Sequence, residues 1–259
     1  MKKIFIILLL ALNFHCYFSQ ENKIFATYEF TNAVSGKPFF MKAKLFIADN
    51  LSLYTINPKD IRTEKTKDII LYNESENKII KNVYLPNEND FFLVTNKKKD
   101  SIKHTTNIGS DKYLITEGVY PFNWEIKNKN KKIGKFNCIK ATVYFRGRNY
   151  IAWYSPEIPI RFGPWKFSGL PGLILEIYDQ DNKFSWKIKS IVYPFKEILD
   201  ISIANVNSYK KIELKNYVAL KGQSTKDYSG FLKSKSPKGT KFRDMTIKRS
   251  GIELLYEWE

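Results

Sequence analysis

The chain has 259 residues, 43% of them hydrophobic, and a formal charge of +17 at pH 7. That length serves one large β domain or two small ones and buries a core without disulfide staples. Two histidines and two cysteines in the whole chain exclude the usual zinc sites, which draw several ligands from those residue types.

Residues 1–20 read as a secretory signal peptide: Lys2 and Lys3, an apolar run from Ile4 to Phe14, then a polar stretch to Ser19 and Gln20. The apolar run is too short to span a hydrocarbon core of about 30 Å. Cleavage after Ser19 is expected, so the mature chain starts at Gln20 or Glu21 and runs as a single β-rich domain over residues 21–259. His15 before Cys16 is not the small residue a lipoprotein signal needs, so no lipid anchor is expected. The chain is then exported to the periplasm or beyond, with no further segment apolar enough to cross a membrane as a helix. Two of the positive charges leave with the signal, which gives a mature charge of +15. Such a balance fits nucleic acid, acidic polysaccharide or anionic lipid. Lysine outnumbers arginine and is scattered through strands and loops, which reads as a solvated basic surface; export also argues against nucleic acid.

The mature sequence opens with strand after strand. Ile24–Phe30, Phe39–Ile47 and Leu51–Ile56 are β-branched and aromatic, with Ala48-Asp49-Asn50 as a turn. Shorter strands are expected at Ile69–Tyr72, Lys78–Leu85, Phe91–Thr95 and Ser101–Thr106, around a loop at Pro86–Asp90. Lys135–Phe145 and Tyr150–Tyr154 form a hairpin about Arg146–Asn149. Gly172–Tyr178 and Phe184–Tyr193 form a second about Asp179–Asn182. Between them, Ser155–Pro164 holds three prolines and cannot be regular structure. After Pro194 two short helices are expected, Ile212–Leu220 and Tyr228–Lys233, with Gly222 between them. Lys233–Arg249 looks least ordered, and Ile252–Tyr256 is read as a last strand. The fold class is mainly β: a curved antiparallel sheet or partly open barrel with a few short helices near the C-terminus.

The most specific motif is Gly169-Leu170-Pro171-Gly172-Leu173-Ile174, preceded by Trp153-Tyr154-Ser155-Pro156-Glu157-Ile158-Pro159 and by Gly163-Pro164-Trp165-Lys166-Phe167. Pro171 presets φ and Gly172 is placed to take φ above zero, as in a type II turn that leads into a buried strand. These residues closely resemble the GLPGLI family, also called Porph_ging, of secreted proteins from Gram-negative bacteria. The likeness runs from about Gly134 to Tyr193. It implies export and a β-rich fold, and brings no catalytic residues.

Catalytic inventory is thin. His15 leaves with the signal, so a Ser-His-Asp triad would have to use His104, and no Gly-x-Ser-x-Gly elbow occurs. His104 reads as a surface or edge-strand residue, and Cys138 as a small buried hydrophobe if it points inward. Phosphate loops and dinucleotide fingerprints are absent, and no cofactor is expected. Glu125, Glu157, Glu176 and Asp179 keep a carboxylate-dependent hydrolase open as an alternative. The first reading is a non-enzymatic envelope protein that binds a lipid or an apolar peptide, by fold-level analogy with periplasmic lipoprotein carriers. An assembly factor that binds an outer-membrane protein is the other alternative. The candidate binding mouth is Trp153, Tyr154, Glu157, Arg161, Trp165 and Phe167, since a loop this rich in aromatics is either buried or in use.

Overall fold

In a computed structural model the described residues are 23–57, 59, 61–62, 71–73, 91–195, 207–237, 240 and 249–259. The signal peptide, the strand expected at Lys78–Leu85, the Pro86–Asp90 loop and most of Lys233–Arg249 lie outside them. The N-terminal strands are β1 (Ile24–Asn32), β2 (Phe39–Ala48), β3 (Leu51–Ile56), β4 (Leu71–Asn73), β5 (Phe91–Asn96), β6 (Ser101–Ile108) and β7 (Asp111–Glu117). The second run of strands is β8 (Glu125–Ile133), β9 (Phe136–Phe145), β10 (Arg148–Ser155), β11 (Leu173–Asp179) and β12 (Phe184–Val192). β13 (Lys210–Glu213) leads into helix α1 (Leu214–Lys235).

All thirteen strands join one sheet in the order β13-β7-β6-β5-β3-β2-β1-β12-β11-β10-β9-β8, with β4 attached to β12. β13–β7 and β4–β12 are parallel and the other pairs antiparallel. The chain therefore runs its meander out one way, then returns beside β1 through β12. The sheet is curved and open, and one contact measures the curl. Glu117 ends β7 and Arg146 sits in the β9–β10 turn, nine strand spacings away in the sheet order. Flat, that is roughly 43 Å; the two side chains lie 2.9 Å apart.

Period-two burial explains the inner core. Ile24, Ala26, Tyr28 and Phe30 face the same cluster as Ile177, Trp186 and Ile188 across the sheet. The loop 156–172 fills the curl, contributing Ile158, Ile160, Phe162, Trp165, Phe167 and Leu170, all buried. A smaller cluster on the other face joins Phe25, Phe46, Phe92 and Leu114 to Phe195 and Tyr209. The edge strand β8 exposes Lys129 and Lys132 and carries an irregular register, a combination that blunts pairing with a foreign strand.

Two C-terminal expectations need correction. The two short helices are one helix of 22 residues that passes through Gly222 and Gly230. Each glycine costs about 1 kcal/mol against alanine, which weakens a helix without ending it. Leu214, Tyr217 and Val218 anchor its first turns on Tyr113 and Ile115. Ile252–Tyr256 is not a strand; it lies over the β9–β10 turn, where Leu254 donates its N–H to the Arg146 carbonyl at 2.9 Å.

Candidate functional site

The loop that fills the curl pairs with itself only at an isolated bridge between Phe162 and Ser168 and in short turns, so partners outside it also hold it. Leu173 N–H donates to Ile158 O at 2.9 Å, Ile174 N–H to Phe162 O at 3.3 Å, and the Tyr28 hydroxyl to Ile174 O at 2.8 Å. The motif glycines divide the work differently from the expected type II turn. Gly169 is the residue with positive φ, at 102°. Gly172 is needed for close approach: a Cβ there would stand 2.1 Å from the Ser155 carbonyl oxygen. Trp165 also adopts positive φ, at 57°, which is uncommon for so large a side chain. Its ring stacks on Trp186 with centroids 5.9 Å apart and planes within 13°.

Beside this pair lies a cavity of about 580 Å³. Its walls come from Phe30 on β1, Met41 on β2, Tyr54 and Ile56 on β3, Phe91 on β5, and Phe184 and Trp186 on β12, closed by Trp165 from the loop and by Ser250–Ile252. Among the described residues, no Asp, Glu, Lys or Arg lines it. The volume falls within the range of small-molecule sites, about 300–1,000 Å³, and the lining is of the apolar kind such sites use.

Next to the cavity is its chemical opposite. Lys166, 1% exposed, pairs with Glu117 at 2.5 Å and Glu253 at 2.8 Å. Arg146 pairs with Glu117 at 2.9 Å, with Glu257 at 2.8 Å, and with Glu253. His104 Nδ1 stands 3.5 Å from Glu117. Burial first, and then the Lys166 ammonium, hold the imidazole well below its ordinary range, so it is neutral at physiological pH. His104 is thus a buried member of an ionic cluster and not the surface or edge residue expected. The neighbouring Arg148 pairs with Asp179 at 2.9 Å and donates to the carbonyls of Gly251 and Ile252 at 2.9 and 3.1 Å. Together these groups clasp the two ends of the curl and the C-terminal segment.

The six residues expected to form one mouth are dispersed. Trp165 lines the cavity; Tyr154 and Phe167 are buried in the core beside it. Trp153 is half-buried with Lys131 over its ring at 4.5 Å. Glu157 is exposed and accepts hydrogen bonds from Asn137 N and Nδ2 at 2.8 and 3.1 Å. Arg161 is exposed and donates to Gly169 O at 3.0 Å. The carboxylates considered for hydrolysis are each engaged: Glu125 by Lys127, Glu176 by Lys131 and Lys187, Asp179 by Arg148 and the Phe184 N–H. Cys138 is fully buried, and burial pushes its thiol up to about 12, which leaves it inert. Among the described residues no cluster of three or more His, Cys, Asp or Glu is arranged to hold a metal ion, and no helix is long and apolar enough to cross a membrane.

Most cavity residues escaped sequence reasoning because they are spread over five strands, one or two on each. Phe30, Met41 and Trp186 are brought together by register: Phe30 opposes Met41 on one side and Trp186 on the other. That pairing has no local signature.

A family profile described as "Protein of unknown function (Porph_ging)" matches residues 146–176, which span the β9–β10 turn to the middle of β11. No curated protein matches the chain. Among solved structures, one titled as PNGF-II in a C2 space group superposes with a TM-score of 0.50 at 14% identity, covering 78% of this chain and 33% of that one. The same protein in a P21 space group gives 0.48 over the same shares. This chain thus spans about a third of that protein's length, and the likeness concerns the fold alone. A putative outer membrane lipoprotein-sorting protein domain from Vibrio parahaemolyticus aligns over 62% of this chain and 67% of its own at 8% identity, with a TM-score of 0.25, too low to carry an argument.

Proposed function

We propose that this chain is an exported, non-enzymatic binding protein that takes the acyl part of a lipid-like ligand into the cavity beside Trp165 and Trp186. The observation that carries the reading is the cavity itself: about 580 Å³, with no charged side chain among its described lining residues, and walled by strands of one sheet. A rigid concave sheet keeps such a site open without ligand, so little ordering opposes binding. The left-handed Trp165 supports the same reading. Backbone strain of about 1–3 kcal/mol persists where surrounding structure over-determines it, often at ligand clamps. Here the buried Lys166 fixes the next residue, and Trp165 must present its ring to the cavity. The paired state of the carboxylates favours binding over hydrolysis.

The test is titration with a long-chain acyl ligand bearing bromine, which quenches nearby indoles. Saturable quenching is expected, since Trp165 and Trp186 both line the cavity. Ile56→Trp, which fills the space from β3, should weaken binding at least tenfold by calorimetry while the circular dichroism stays unchanged. Binding of an extended apolar peptide but of no acyl ligand would replace the lipid with a protein partner. Absence of quenching by any of them would remove the site.

A further inference from the structure

Tyr54 and Trp186 are among the most deeply buried residues of the cavity wall, 1% and 0% exposed, whereas Ile61 at the rim is 55% exposed. The indole Nε1–H of Trp186 donates to the Tyr54 hydroxyl oxygen at 2.7 Å. That bond occupies one acceptor position on the phenol and leaves its own O–H to be placed. Among the described residues none is offered as its acceptor, although the neighbouring phenol of Tyr28 spends its proton on Ile174 O. Burial also holds the Tyr54 phenol far above its ordinary range, so the proton stays on at any physiological pH. A buried hydroxyl with an unspent donor costs free energy that an incoming acceptor recovers.

We infer that the ligand carries a neutral carbonyl oxygen, of the ester kind, which accepts the Tyr54 hydroxyl at the inner end of the cavity. The inference rests on the cavity being the binding site. A free carboxylate fits worse, because among the described residues no cationic side chain lines the cavity and an ion buried without one is penalised. A pure hydrocarbon fits worse too, because it leaves the hydroxyl unanswered. With Trp186 already donating to it, the group the hydroxyl leaves unanswered is its own O–H, which a ligand acceptor satisfies and an added ligand donor does not.

Competition against a brominated acyl probe separates these cases. A long-chain alkyl methyl ester, the alkane of equal length and the matching fatty acid are compared on wild type and on Tyr54→Phe. The wild type should prefer the ester to the alkane by about three- to tenfold, as one net hydrogen bond gives, and Tyr54→Phe should erase that preference. Comparing ligands within each variant cancels any loss of stability from the orphaned Trp186 N–H. If Tyr54→Phe fails to fold, infrared spectroscopy of a carbonyl-labelled ester on wild type decides. The stretch moves to lower wavenumber than in alkane solvent if the hydroxyl donates to it. Equal binding of ester and alkane, an unshifted carbonyl, or tighter binding of the fatty acid overturns the carbonyl inference while leaving the cavity reading intact. Failure of all three ligands to displace the probe, or of the probe to bind, overturns the cavity reading first.

Discussion

Two regions of this molecule share a boundary one peptide bond wide and are built on opposite chemistry. Trp165 and Ile252 face an uncharged cavity; their successors, Lys166 and Glu253, pair with each other in a buried ionic cluster. The contrast shows how irregular chain can be made rigid. Neither the loop 156–172 nor the C-terminal segment has a ladder of backbone hydrogen bonds, so both depend on side chains to fix them. Apolar contacts fill space without direction, whereas a buried cation must find its carboxylates or lose several kcal/mol. Lys166, Arg146 and Arg148 thereby set where their neighbours point. The cluster is the clasp, and the cavity is what the clasp holds in shape.

The severest way to break that picture is Lys166→Met. It leaves Glu117 and Glu253 buried with Arg146 as their remaining clasp cation, and loss of one partner from such a group costs about 3–5 kcal/mol. Urea unfolding should show a midpoint far below wild type, and acyl binding should weaken although Lys166 is not a cavity residue. Wild-type stability together with wild-type binding would mean that packing alone orients Trp165. Gly172→Ala sharpens the apolar side of the comparison. Its Cβ meets the Ser155 carbonyl, so β10 and β11 must separate, at a cost of about 1–3 kcal/mol or more. Gly169→Ala tests the other glycine: its φ of 102° resists a side chain, but no atom within 3.5 Å crowds a Cβ there. It should lower the melting temperature less than Gly172→Ala; the reverse order would return the motif to a turn governed by φ.

The same contrast explains what the sequence disclosed. Period-two patterning and turn residues found β1, β2, β3, β5, β6 and both central hairpins, because burial on one face leaves its mark in a local run. It missed β7, β8 and β13, the last of which was read as the start of a helix at Ile212. β8 is Glu125-Ile-Lys-Asn-Lys-Asn-Lys-Lys-Ile133, an edge strand whose lysines hide any strand signal. In the site, Trp165 was legible as an aromatic in a costly loop, but Phe30, Tyr54 and Trp186 were not. Phe30 and Trp186 lie on β1 and β12, neighbours only after β12 returns beside β1, and Tyr54 lies two strands further along on β3. The clasp was less legible still. Glu117, Arg146, Lys166 and Glu253 are scattered over more than a hundred residues of a lysine-rich chain, where a buried charge looks like any solvated one. His104 was misread for the same reason: its burial comes from the curl, not from its own strand.

The smallest expected effect is also the most specific to the clasp. His104 faces Glu117 from β7, Lys166 from the loop, Arg146 from the β9–β10 turn and Glu253 from the C-terminal segment, with the Phe91 ring centroid 6.3 Å away. Burial and then Lys166 depress its pKa well below the ordinary 6.5, while Glu253 opposes them and Arg146 adds to them. A histidine depressed in the folded state takes no proton there as pH falls, while the unfolded chain takes one near pH 6.5. The unfolded state then binds more protons, so stability is fully present above about pH 6.5 and declines below it, at a slope approaching about 1.4 kcal/mol per pH unit. His104→Gln keeps a polar side chain at the site and removes the titration. Every carboxylate is common to both proteins, so the difference between their stability curves isolates the imidazole. Chemical denaturation from pH 7.5 to 5.5 should show the wild-type advantage over His104→Gln shrinking by about 1 kcal/mol. An advantage that grows instead would mean that the folded imidazole is protonated and paired with Glu117. The clasp would then hold three cations against three carboxylates, and His104 would be one of the groups that fasten it.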